Sequence, residues 1–271
     1  MSSPRRPTLE DAARAWLRET SAEGQAEALL RDALTDFVDK RFRGAAGDLR
    51  RVHEIRLRLL DDPRPLKALF DVPDRPGDGA SLGSAAKASA TSEQGRLLFH
   101  LARAFRPDSV LELGTNLGIS AAYLATGVRY GGGGRVITIE QSLARLEQAR
   151  SHLRELGIDN VDVIEGDFDE ALPSVLDGID RLGMAFIDGN HDYEATLRYV
   201  DRIRPQMRGG ILVLDDIRWS EGMSRAWDEI CAHPTAETVV DLGRTGIVVV
   251  ADVNRREARS PRLRSILRRR S

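Results

Sequence analysis

The groups able to do chemistry in this sequence are mostly carboxylates, and they recur at one kind of place. Short apolar runs end in or next to an acid: "VLELG" carries Glu112, "RVITIE" ends at Glu140, "VDVIEGD" reaches Asp167, "MAFIDG" reaches Asp188, and "GGILVLDD" closes on Asp215 and Asp216. After Glu112 comes a G-x-x-x-G turn, Gly114, Thr115, Asn116, Leu117 and Gly118, followed by Ser120. Its glycines let a backbone bend tightly and approach a ligand without Cβ interference, although a purely structural strand-to-helix bend needs the same residues. Glu140, followed by Gln141, stands where an acid accepts hydrogen bonds from the two hydroxyls of a ribose. Asp167, beside Phe168, can accept from an adenine amino group or can cap the next helix. His191 lies three positions after Asp188. An imidazole titrating near neutrality could take a proton from a substrate hydroxyl there, or could face solvent from a loop.

These acids need a frame that brings strand ends together. From Ser92 onward, amphipathic helical stretches alternate with strands of four to six mostly apolar residues. That pattern predicts a doubly wound α/β domain, with a mainly parallel sheet covered on both faces and ligands beyond the carboxyl ends of its strands. "AETVVDL" and "GIVVVAD" are joined only by "GRT", too short for a helical crossover, so the sheet should end in an antiparallel hairpin.

Residues 8–62 read as helices: one capped by Thr8, a second from Ala26 to Phe42, and a third over "LRRVHEIRLRLL". They should pack on the main domain, on a second copy as a homodimer, or over the substrate as a lid. Residues 61–86, dense in Pro, Gly and Asp, read as a linker or mobile loop, with Lys87 in its flexible continuation. The expected division is an N-terminal helical extension and linker over 1–83, a main domain over 84–253 and an arginine-rich tail over 254–271.

A net charge of -2 does not point to nucleic acid or an anionic membrane. One cysteine, Cys231, excludes an internal disulfide framework, and no apolar run approaches the roughly 20 residues of a membrane helix. With no secretory signal read at the start, a cytoplasmic protein is expected. The missing middle glycine of G-x-G-x-x-G argues against a dinucleotide.

The segments "VLELGTNLGISAAYLA", "VITIEQSLARLEQARSHLRELGI", "VDVIEGDFDEALPSV", "MAFIDGNHDYEATLRYV" and "GGILVLDDIRW" together resemble the class I S-adenosylmethionine (SAM)-dependent methyltransferases. The likeness is narrower still to the catechol O-methyltransferase group and small bacterial natural-product O-methyltransferases, and spans about residues 84–252. It implies a seven-stranded Rossmann-like sheet and a SAM site. Gly114, with Thr115, Asn116 and Gly118, would pass beside the methionine part, Ser120 would hold its carboxylate, and Glu112 would lie near its amino group. Glu140 and Gln141 would take the ribose, and Asp167 and Phe168 would border the adenine. Asp188, Asp215 and Asp216 match the family's metal-ligand positions, implying Mg²⁺. Three converging carboxylates do repel one another unless a cation neutralises them, and hard oxygen donors suit that ion, although Asp215 or Asp216 could instead cap a turn. His191, with Asp188, would be catalytic. The activity implied is O-methylation of a small hydroxylated molecule. A metal-independent methyltransferase and a catalytically inactive SAM-binding interaction protein are the other readings. Trp219 could wall an acceptor ring or be an ordinary buried tryptophan.

Overall fold

The computed structural model describes residues 7–21, 24–69 and 80–252. The arginine-rich tail and part of the proline- and glycine-rich stretch lie outside these described residues.

Five parallel strands form the centre: β1 (Ser109–Leu113), β2 (Arg135–Glu140), β3 (Val161–Glu165), β4 (Leu182–Ile187) and β5 (Met207–Leu214). With β6 (Ala236–Asp241) and β7 (Gly246–Val250) they make one seven-stranded sheet in the order β3-β2-β1-β4-β5-β7-β6. β7 runs antiparallel to both β5 and β6, so the expected hairpin is present and its second strand is the one inserted beside β5.

Alternation along each strand builds two cores. Val110, Val136, Met184, Phe186, Ile211 and Val213 bury one face, while Leu111, Leu113, Ile137, Ile139, Ala185 and Ile187 bury the other. The first face is covered by α1 (Leu9–Glu19), α2 (Gln25–Val38), α5 (Ser92–Phe105) and α6 (Ile119–Gly131). The second is covered by α8 (Phe168–Asp177), α9 (Tyr193–Ile203) and α10 (Glu221–Ala232). A third cluster joins α3 (Ala46–Leu59), α4 (Leu82–Ala88) and α7 (Leu143–Leu156) to α6 through Ile119, Ala122 and Tyr123.

The N-terminal helices therefore share a core with the sheet. Leu9, Ala13 and Trp16 of α1 and Leu30, Ala33, Leu34 and Phe37 of α2 are buried with α5 residues such as Leu97 and Leu101. Their apolar faces, which suggested a second copy, are covered within this chain. Asp36 fastens the arrangement: 3% exposed, it accepts from Arg43 Nε at 3.0 Å and is also paired with Arg103.

Two sequence expectations are corrected. The second helix stops at Val38 rather than Phe42, because Lys40 and Arg43 take left-handed φ values of 55° and 46° that no helix can continue through. Within 61–86, residues Leu66–Leu69 form a 3₁₀ turn and Leu82–Ala88 form α4 rather than loop. Ser81 caps α4 by accepting from Ser84 N, and Leu82, Ala85 and Ala86 are buried beneath α3. Lys87 stands exposed in its last turn.

Candidate active site

Strand order reverses between β1 and β4, and the turns leaving these two strands border a cleft of about 420 Å³. Such a switch point opens a crevice because the connections on its two sides go to opposite faces of the sheet. Of the residues singled out in the sequence, Gly114, Thr115, Asn116, Ser120, Glu140, Gln141, Asp167, Phe168, Asp188 and His191 line it together. Glu112, Gly118, Asp215 and Asp216 do not line it. α4 and the residues after it add Ala88, Ser89 and Ala90, so the continuation read as flexible supplies a wall.

The β1 turn is shaped by close packing. Gly114 has φ +107°, and a Cβ there would overlap the carbonyl oxygen of Asp188. Gly118 has φ +77°, with Ala149 Cβ 3.0 Å from where its own Cβ would stand, so it packs α7 against the turn rather than meeting a ligand. Asn116, itself left-handed at φ 46°, donates from Nδ2 to Ala85 O at 2.9 Å and to Ser89 Oγ at 3.2 Å, tying α4 to the turn.

Glu140 is 6% exposed and is oriented by two backbone donors: Asn116 N to Oε2 and Ser142 N to Oε1, each at 2.9 Å. A carboxylate so fixed at the end of β2 presents its remaining lone pairs in one direction, the requirement for pairing with a diol. Asp167 lines the cleft and also caps α8, accepting from Asp169 N at 2.8 Å. The Phe168 ring occupies the space that Gly189 leaves without a Cβ, 2.7 Å from where that atom would stand, and packs edge-on against Tyr199.

Glu112 lies under the cleft with no solvent exposure. Thr115 Oγ1 lies 2.6 Å from Thr138 Oγ1, which donates to Glu112 Oε2 at 2.6 Å, and the Ser120 hydroxyl also bonds this carboxyl. Burial pushes this carboxyl up to a pKa of about 7. A buried carboxyl beside Gly114, with the Ser120 and Thr138 hydroxyls bonded to it, fits an ammonium group of a bound amino acid. With the Glu140 clamp and the Gly114 turn, the chain's residues fit an adenosyl amino acid. Thr138 was missed in the sequence; its signal was one polar side chain inside the apolar run "RVITIE".

At the other end stand the acids and His191. Its Nε2 lies 3.8 Å from Asp188 Oδ1 and 3.7 Å from Asp216 Oδ2, between the two carboxylates. Burial, then the neighbouring Asp215 and Glu112 charges, raises the Asp188 pKa well above the ordinary carboxylate range. Asp215 has a side chain with no exposure. It accepts from Arg244 Nη2 at 2.7 Å, from Arg244 Nε at 3.2 Å and from Thr245 Oγ1 at 3.2 Å. Arg244 Nε also lies 3.0 Å from Asp216 Oδ1. Among the described residues, no group of three or more His, Cys, Asp or Glu is arranged to hold a metal ion. Arg244 was not singled out in the sequence.

Residues 111–217 match a family model described as a methyltransferase domain. A catechol O-methyltransferase of Mycobacterium tuberculosis is 33% identical over 178 residues, covering 62% of this chain and 78% of that protein. Among solved structures, cofactor-bound Rv0187 from MTB superposes with a TM-score of 0.54 at 26% identity, over 71% of this chain and 100% of the other. The SAM complex of the O-methyltransferase TomG from Streptomyces achromogenes shares the fold at the same TM-score, 24% identical, over 71% and 89% of the two chains.

Proposed function

This chain belongs to the SAM-dependent O-methyltransferases of the class I, catechol O-methyltransferase-like family, and from that premise we propose that it methylates a hydroxyl of a small, ring-bearing molecule with His191 as the base. The observation that carries the reading is the position of His191 on the same cleft as the clamped Glu140, with its Nε2 between two carboxylates.

Bound SAM supplies a methyl group on a sulfonium, which an acceptor oxygen takes as it loses its proton. In this reading Glu140 orients the ribose, Asp167 and Phe168 border the adenine, and Glu112 with Ser120 holds the amino-acid end. His191 accepts the hydroxyl proton at Nε2, which lies 3.8 Å from Asp188 Oδ1 and 3.7 Å from Asp216 Oδ2. Proton removal in the transition state makes the oxygen a better nucleophile, and the fixed carboxylates do not reorganise to assist it. Trp219 is 70% exposed with its ring 6.2 Å from that of His191, a flat wall for an acceptor ring.

Mg²⁺, which the family likeness attaches to Asp188, Asp215 and Asp216, does not fit these acids as they are arranged. Both Asp215 oxygens are already bonded, and a guanidinium lies on two of the three carboxylates. No step is assigned to the ion.

Methyl transfer from labelled SAM to a panel of catechols, phenols and sugar hydroxyls tests the reading. His191→Gln should lower kcat by roughly 10²–10⁴-fold while adenosylhomocysteine affinity stays unchanged. An unaltered kcat, or transfer confined to non-hydroxyl acceptors, would overturn it.

A further inference from the structure

Arg244 is delivered to the acid cluster by backbone that leaves it little choice. It lies in the short connection between β6 and β7, where Leu242 N donates to Thr245 O at 3.0 Å and Ile217 N donates to Arg244 O at 3.0 Å. The same hairpin is pinned to the loop after β5 by the Arg218–Asp241 ion pair at 2.5 Å. From that anchor the guanidinium lies over Asp215 and reaches Asp216 with Nε at 3.0 Å and Nη2 at 3.4 Å. Asp216 sits at φ +51°, an uncommon backbone state for a non-glycine residue, and its Oδ2 points back to His191.

A buried carboxylate such as Asp215 needs a partner charge, and a planar guanidinium meets two carboxylates with several donors at once. A divalent ion entering here would have to strip the Arg244 and Thr245 hydrogen bonds from Asp215 and then sit beside a positive group. We propose that Arg244 is the resident cation of this centre. Its guanidinium occupies the electrostatic role of a divalent metal, excludes the metal, and through Asp216 positions His191. The proposal rests on reading the cleft as an O-methyltransferase centre. It makes Arg244 a positioning residue and the enzyme metal-free.

Manganese binding to the full-length protein, read by the loss of the free Mn²⁺ electron paramagnetic resonance signal, tests this with adenosylhomocysteine present. Wild type should bind no stoichiometric Mn²⁺. Arg244→Met should gain one site, more than about tenfold tighter than any in wild type, and Arg244→Met with Asp216→Asn should lose it. Calorimetric binding of adenosylhomocysteine certifies that each variant is folded. A stoichiometric Mn²⁺ site in wild type that Asp216→Asn removes overturns the proposal. So does a folded Arg244→Met protein that gains no site. If Arg244→Met fails to fold, the wild-type and Asp216→Asn measurements decide alone. Failure of wild type to bind adenosylhomocysteine would count against the methyltransferase reading itself, while the Mn²⁺ comparison would still stand.

Discussion

Gly114 packs face to face with the backbone of Asp188: a Cβ at position 114 would overlap the Asp188 carbonyl oxygen. The turn proposed to cradle the cofactor and the strand end that carries the acids are thus in direct contact, with Asp188 N also donating to Leu113 O at 3.0 Å. Gly114→Ala meets backbone that cannot move aside as a flexible side chain would, and also strains a φ of +107°. It should weaken adenosylhomocysteine binding at least about tenfold and lower stability by roughly 1–3 kcal/mol. Calorimetry and denaturant unfolding check both, and wild-type affinity in the variant would refute the cradle assignment.

Glu112 gives the site a pH signature. Burial raises its pKa from 4.5 to about 7 in the folded chain, so between those values the native state holds a proton that the unfolded chain has lost. Stability from this group therefore falls as pH rises from 4.5 to 7, by roughly 3 kcal/mol in total. Glu112→Gln removes the dependence, so its stability relative to wild type should increase between pH 5 and pH 8. Urea titrations at the two pH values measure it, and a difference that does not change with pH would rule the assignment out. Binding a cofactor ammonium should in turn release a proton near pH 6, a release that the variant lacks.

His100 acts in the opposite direction. It is fully buried among Phe37, Phe42 and Phe99, neither ring nitrogen has a hydrogen-bond partner, and burial lowers its pKa from 6.5 to about 4. Below pH 6.5 the unfolded chain takes up a proton that the native chain refuses, so stability is lost as pH falls from 6.5 toward 4, by up to roughly 3 kcal/mol. His100→Leu should shift acid unfolding, followed by circular dichroism, to lower pH. An unshifted midpoint would show that this histidine does not govern acid stability.

How far the sequence reached can be seen in particular residues. The run from Val110 to Leu113 and the four other parallel strands were legible because burial on two faces demands mostly apolar residues, and the acids at their ends stand out against that background. α4 was not legible: "LGSAAKA" holds only seven residues, too few to show a helical period, and it directly follows the Pro-, Gly- and Asp-rich stretch. Arg244 was hidden by distance along the chain. Nothing local in "GRT" distinguishes this arginine from the many others until the hairpin brings it to Asp215, 29 positions earlier. The buried acid itself was the available signal, since it had to find a cation somewhere.

Trp219 could be read from the sequence as core or as an acceptor wall, and its environment separates the two roles. At 70% exposure it adds little to folding, so Trp219→Ala should leave the unfolding midpoint nearly unchanged, unlike truncation of the buried Trp227 at 3% exposure. If the ring walls the acceptor beside His191, the loss of stacking, about 0.5–1.5 kcal/mol, should raise KM for an aromatic acceptor roughly two- to tenfold. The proposed base and cofactor contacts are untouched, so kcat at saturating acceptor should hold, and Trp219→Phe should recover most of the KM. A fall in kcat with KM unchanged would instead place Trp219 in the organisation of the His191 loop rather than in acceptor binding.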